Sequence, residues 1–251
     1  MKKILLTCFL FSIIIKCVIA NPNTLIDSAN KAYSLGNFQK AAEYYENILT
    51  HGFESAEIYF NLGNSYFKTD RIGLSILNYE RAKKLSPHDD DIQFNLNLAN
   101  QRTLDKIEFI PKFFFVEWWS KMKSLHSEKT WTLRSIICFI LFFFFLTVFI
   151  VSKKSINRQF SFCLGLIFLI LTFLTLIIAQ DRYSKLTNKD TAIILSFSAE
   201  IKNAPAESGT KLFILHEGTK VNVLEINNGW IKVGLSQEKV GWVKKISIEY
   251  I

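Results

Sequence analysis

Two long apolar runs, residues 135–152 and 160–180, limit what this chain can become. Each is long enough, at about 1.5 Å rise per residue, to carry a helix across about 30 Å of hydrocarbon. A helix in a soluble core would still show a polar stripe. Neither run has one, and Phe142-Phe143-Phe144-Phe145 sits in the middle of the first. Between them, Lys153-Lys154-Ser155-Ile156-Asn157-Arg158-Gln159 is short, basic and without acids. That predicts a cytoplasmic loop, 153–159, joining two transmembrane helices. The chain is therefore expected to be a multidomain, membrane-integral protein with both flanking regions on one side of the bilayer.

The same loop explains much of the charge. The net charge is +8, but Lys2, Lys3, Lys16, Lys153, Lys154 and Arg158 lie in acid-free stretches, and the remainder balances to +2. The basicity is a targeting and topology signal, so nucleic acid is excluded as an expected partner. Met1-Lys2-Lys3 precedes an apolar run, Ile4 to Ile15, too short to span comfortably. Residues 1–20 therefore read as a signal peptide cleaved after Ala20. An uncleaved anchor helix and lipid attachment at Cys17 are the alternatives, the second weakened by Lys16 where processing needs a small residue. Export of the following region and a cytoplasmic basic loop give one topology. Cys8, Cys17, Cys138 and Cys163 all fall in these apolar segments, so no disulfide framework or thiolate zinc site is expected outside them.

Residues 21–108 contain an internal repeat. Ala29, Gly36, Phe38, Ala41, Tyr45 and Ile48 each precede Gly63, Asp70, Ile72, Ser75, Tyr79 and Ala82 by 34 positions. That period, with small residues at helix contacts and aromatics between them, resembles the tetratricopeptide repeat. The clearer copy reads Leu62-Gly63-x-x-Tyr66 … Tyr79-x-x-Ala82 … Pro87; the earlier one departs, with Ala32 and Phe53 at the usual aromatic and proline positions. The pattern implies repeats over 22–55 and 56–89 and a capping helix over 90–106, with Asp89-Asp90-Asp91 at its start, where acids favour the helix dipole. Asn61, Asn64 and Lys68 share a helix face at spacings of three and four, and are the candidate protein-binding residues. Residues 109–134, with Phe113-Phe114-Phe115-Val116-Glu117-Trp118-Trp119, read as an aromatic juxtamembrane segment.

After a linker at 181–190 the period changes to two. Ala192–Leu195, Leu212–Leu215, Val221–Ile226, Trp230–Val233 and Val240–Val243 read as five short strands. His216-Glu217-Gly218-Thr219, Asn228-Gly229-Trp230-x-Lys232-Val233 and Gly241-Trp242-Val243 resemble the bacterial SH3-like domain, which implies an all-β SH3-like barrel over 191–251. Gly218 and Gly229 stand where turns need positive φ. Trp230 and Trp242 are the candidate lining of a peptide groove, and Trp230 is the one expected to pack inside the barrel instead.

The order of parts adds a wider resemblance. Signal peptide, two repeats, Thr103-Leu104-Asp105-Lys106-Ile107, the Trp118-Trp119 pair, two spans and an SH3-like barrel resemble the BatE-like family. These are tetratricopeptide repeat membrane proteins of the Bat aerotolerance-related operon in Bacteroidetes-like bacteria. The resemblance implies an inner-membrane location with the repeats and barrel in the periplasm. It implies partners among other Bat membrane proteins, some with von Willebrand A-type domains, and indirectly a MoxR-type ATPase. Two functions follow as expectations: a non-enzymatic scaffold whose repeats bind an envelope partner, or a receptor whose barrel binds peptidoglycan peptides. His51, His88, His126 and His216 are scattered, and no phosphate loop, paired carboxylates or catalytic triad has a recognisable context, so no enzyme, cofactor or metal site is expected.

Overall fold

The computed structural model describes residues 22–106, 113–235 and 239–251. The signal peptide and Phe109-Ile110-Pro111 lie outside them. The described residues form two compact units. One holds the residues up to Lys83, Asp90–Asp105 and Thr191–Ile251; the other holds Lys84–Asp89 and Lys106–Asp190. The repeats and the C-terminal domain, far apart in sequence, thus belong to one unit.

The repeats begin with α1 (Pro22–Ser34) and α2 (Phe38–Thr50), then α3 (Ala56–Lys68) and α4 (Ile72–Leu85). The turn inside the second pair repeats the turn inside the first. Gly36 and Asp70, at equivalent positions, both take positive φ, 78° and 59°. The next N–H reaches back to a carbonyl of the preceding helix in each case, Asn37 to Ala32 and Arg71 to Tyr66. This satisfies carbonyls that a helix end would leave orphaned. Gly63 is needed for packing: a Cβ there would lie 2.7 Å from the Tyr79 ring.

Helix α5 (Asp90–Asn100) is shorter than the capping helix expected over 90–106, and it has a repeat's phase. Its buried Ile92, Leu96 and Ala99 stand at the repeat equivalents of the buried Ile58, Leu62 and Ser65. It is therefore the first helix of a third, incomplete repeat. The chain then turns at Gln101-Arg102 and leaves the helix.

The described residues of the C-terminal domain form seven antiparallel strands: β1 (Thr191–Ile194), β2 (Ser198–Lys202), β3 (Lys211–His216), β4 (Lys220–Asn227), β5 (Trp230–Gly234), β6 (Val240–Lys244) and β7 (Ile248–Tyr250). Their order in the sheet is β3-β2-β6-β5-β4-β1-β7. Every strand contributes to one core through Ala192, Ile201, Leu215, Val221, Ile231, Val243 and Ile248. One core lined by all seven strands requires a strongly curled sheet. Strands β2 and β7 are additional to the five read from the sequence: β2 carries only Ala199 and Ile201 inward, and β7 is three residues long. Strand β1 is buried on both sides. Ala192 and Ile194 enter the sheet core, while Ile193 joins Ile76, Leu77, Tyr79, Leu96 and Ala99. A completed third repeat would lay its second helix on this surface of α4 and α5, so β1 takes that helix's place and closes the solenoid.

In the second unit, α6 (Phe114–Ser124) precedes α7 (Glu128–Val151) and α8 (Ser155–Thr187). Both α7 and α8 are long and apolar enough to cross a membrane. They outrun the expected spans. The connection shrinks from 153–159 to Ser152-Lys153-Lys154, and α8 runs through most of the expected 181–190 linker, because neither Ile156–Gln159 nor Gln180–Thr187 contains Gly or Pro. The pair exposes apolar side chains and buries several hydroxyls between its helices. Ile136, Phe139, Ile140 and Phe143 are exposed, while Ser135, Ser161, Thr172 and Thr175 are buried. The Ser135 hydroxyl donates to the Thr172 carbonyl across the pair at 3.2 Å, and Phe145 stacks on Phe168.

Replacing Gly63 with Ala should lower stability by about 1 to 3 kcal/mol through overpacking against Tyr79. Thermal denaturation followed by circular dichroism checks this, and an unchanged melting temperature contradicts the assigned helix contact.

Candidate protein-binding surfaces

Tyrosine hydroxyls tie the first helices of successive repeats together. Tyr45 donates to Asn30 Oδ1, and its repeat equivalent Tyr79 donates to Asn64 Oδ1 at 2.7 Å. Each hydroxyl also meets an asparagine of the next first helix, Asn61 for Tyr45 and Asn95 for Tyr79. Asn95 Nδ2 donates to Asn64 Oδ1 at 2.8 Å. Burial pushes both tyrosines up to about 12, so they stay protonated donors. Asn61 and Asn64 are thus half-buried rungs of an internal ladder, while Lys68 on the same helix is exposed. The sequence reading brought the three together on one face but did not find the ladder. Its signal was present, since Asn30/Asn64 and Asn61/Asn95 both keep the repeat spacing.

The exposed apolar part of this face lies on α5. Phe94 and Leu98 are the repeat equivalents of Phe60 and Asn64, and are 69% and 38% exposed. Phe60 is half-buried against Tyr79.

The turn His216-Glu217-Gly218-Thr219, between β3 and β4, makes several of the contacts that join the sheet to the repeats. Asp105 accepts from the His216 backbone N–H at 2.7 Å and the Thr219 hydroxyl at 2.7 Å, with His216 Nδ1 at 2.9 Å from its other oxygen. Glu217 accepts from the Gly73 N–H at 2.9 Å, filling an orphan donor in the first turn of α4. Gly218 has φ 86°, and a Cβ there would lie 2.7 Å from Thr103 and 2.9 Å from Ile76. Further along α4, Glu80 pairs with Lys220 at 2.7 Å, and Arg81 meets Glu249 at 3.0 Å and the Tyr250 carbonyl. Gly73, Ile76, Leu77, Glu80 and Arg81 follow helical spacing, so one face of α4 serves the sheet.

Trp230 lies outside the sheet core, contrary to the inward position expected of it. Its neighbour Ile231 takes the inward place, and Trp230 alternates to the outer face. There it lines a groove of ≈ 700 Å³ with Glu207, Gly229, Lys244, Lys245, Ile246 and Tyr250. Lys202 and Lys244 stand over its ring at 5.6 and 5.8 Å. Trp242 is the more buried of the two, 8% exposed, and it does not line the groove. It pairs in register with Lys202 on one side and Lys232 on the other, and their long stems cover it. Among the described residues, no group of three or more His, Cys, Asp or Glu is placed to hold a metal ion.

The tetratricopeptide repeat family model matches residues 56–89, the span of α3, α4 and the turn that follows. No curated protein matches the chain significantly. The matched repeat makes protein–protein interaction the general role of this region.

Asp105 supplies a test of the clamp. Burial pushes its carboxyl up, but the His216 N–H, the Thr219 hydroxyl and the His216 ring together outweigh burial and hold it below the usual carboxylate range. A lowered folded value means stability fully present above the unfolded value near about 4 and lost as pH falls through the folded one. Asp105→Asn should destabilise the protein by about 2 kcal/mol at neutral pH. Its deficit against wild type should shrink below about pH 4. Urea denaturation across pH checks this, and a constant deficit contradicts the clamp.

Proposed function

We propose that this chain is a non-enzymatic adaptor anchored in a bacterial inner membrane by α7 and α8, and that its repeats hold a partner protein in the periplasm. The observation that carries the reading is the exposed Phe94–Leu98 pair on α5, at the repeat positions of Phe60 and Asn64, with Lys68 exposed on α3 of the preceding repeat. An apolar anchor rimmed by polar and charged groups suits a peptide or helix of a partner. By resemblance, the partners belong to a Bat-type envelope complex that includes von Willebrand A-type proteins.

The membrane part of the proposal draws on the hairpin's exposed apolar side chains, such as Phe139, Phe143 and Phe144, and on the serine and threonine hydroxyls buried between its helices. It draws also on the clamp. A sheet packed against the repeats must lie on the same side of any membrane as they do, so the segment between them crosses an even number of times. Two spans with the basic turn Lys153-Lys154 inside meet that condition. A periplasm-active reporter joined after Asp105 or Thr191 is expected to be active, and one joined after Ser155 silent. The reverse pattern contradicts the topology.

Chemical crosslinking in native membranes followed by purification tests the partner site. Phe94→Ser combined with Lys68→Glu should reduce partner recovery about tenfold, as the loss of about 1.4 kcal/mol would, without lowering the melting temperature. Equal recovery contradicts the site.

The half-exposed Trp230 in its groove favours a second reading, a receptor for peptidoglycan peptides. Under that reading the full-length protein in detergent sediments with insoluble peptidoglycan and Trp230→Ala does not. Under the adaptor reading no Trp230-dependent sedimentation occurs, and partner recovery survives the substitution.

A further inference from the structure

The aromatic helix α6 has an apolar stripe that is largely exposed among the described residues. Phe115, Trp118, Trp119 and Met122 follow at spacings of three, one and three, one side of an eleven-residue helix. Ser120, Lys121 and Ser124 lie on the other side. Phe113 and Phe114 are both 85% exposed, and Phe115 and Trp118 more than half exposed. Rings left in this way present a patch on the order of several hundred Å², more than a protein surface ordinarily leaves to water.

The C-terminal end of α6 is fixed to the hairpin. Met122 packs on Trp131, Ile178 and Ala179. The Trp131 indole N–H donates to the Lys123 carbonyl at 2.9 Å, and Lys123 Nζ pairs with Asp181 at 2.8 Å. This attachment has a definite height. From Ser152, beside the basic turn, back to Trp131 is roughly 21 residues, or about 31 Å of helix. From Gln159 to Ala179 on α8 is roughly 20 residues, or about 30 Å. Both match the hydrocarbon thickness of about 30 Å. The helix is therefore held where the apolar parts of α7 and α8 end, one bilayer thickness from Lys153-Lys154. Its stripe joins the hairpin at Met122, on the apolar cluster of Trp131, Ile178 and Ala179.

We infer that α6 lies along the membrane surface as an interfacial helix, with Phe114, Phe115 and Trp118 inserted among the lipid headgroups and upper acyl chains. This rests on the reading that α7 and α8 cross a bilayer. The occupant of the stripe is lipid: the stripe is anchored through Met122 to the end of the apolar hairpin, it sits at the boundary depth, and tryptophan favours that depth.

The test uses full-length protein reconstituted in phosphatidylcholine–phosphatidylglycerol vesicles, with the four native cysteines replaced by alanine. An environment-sensitive fluorophore is attached at Phe115→Cys, at Phe144→Cys in the centre of α7, or at Lys40→Cys on the exposed side of α2. Lipids brominated near the carbonyl or near the chain end then report depth by quenching. The label at 115 should be quenched most by the carbonyl-proximal bromine, the label at 144 most by the chain-end bromine, and the label at 40 by neither. Quenching at 144 with none at 115 overturns the interfacial helix and leaves the spans intact. No quenching at either site overturns the membrane reading itself, and with it this inference.

Discussion

A single carboxylate, Asp105, meets three groups of the His216–Thr219 turn, and the architecture of the repeat unit depends on that meeting. Without it the solenoid would end in an open face, since two and a half repeats leave α4 and α5 uncovered on one side. Burying Ile193 on that face contributes about 2 kcal/mol. An Asp105 lost from the clamp leaves donors unsatisfied at a comparable cost each. The apolar contact supplies much of the attraction. The polar clamp decides which turn lands where, because only a residue without Cβ fits between Thr103 and Ile76, and Gly218 is that residue.

Much of this was legible from residues alone. The repeat spacing located α1 to α4, and Leu62-Gly63-x-x-Tyr66 marked the repeat that the family model also matches. The turns at Gly218 and Gly229 were readable from their glycines, and both take positive φ. Other features were harder for physical reasons. A turn motif shows that the chain reverses, but not that a carboxylate from the far end of the repeats receives it. The run Ala192-Ile193-Ile194-Leu195 did hold a clue, because a strand apolar at consecutive positions is buried on both faces. Helix α5 hid its phase because Phe94 and Leu98, which are exposed, obscured the buried Ile92, Leu96 and Ala99. Trp230 and Trp242 both alternate out of the sheet core, and which one stays accessible depends on lysine stems of neighbouring strands, a cross-strand fact that a linear reading does not contain.

The functional proposal follows from what the clamp leaves uncovered. The end of the solenoid is occupied by β1, so a partner has to use the face shared by α1, α3 and α5, where Asn61 and Asn64 brace the helices and Lys68, Phe94 and Leu98 are presented. The Trp230 groove on the sheet is a separate surface. Both candidate contact regions belong to one compact unit, rather than to two domains joined by a tether.

The most direct test of that account is a double-mutant cycle across the clamp, with Asp105→Ala and Thr219→Val made singly and together and their unfolding free energies measured. Residues in one hydrogen-bond network are expected to show a coupling of about 1 kcal/mol or more. That result is predicted here, with the double variant less destabilised than the two single losses added. Additivity to within about 0.3 kcal/mol would mean that the turn and the carboxylate do not meet, and would contradict the clamp.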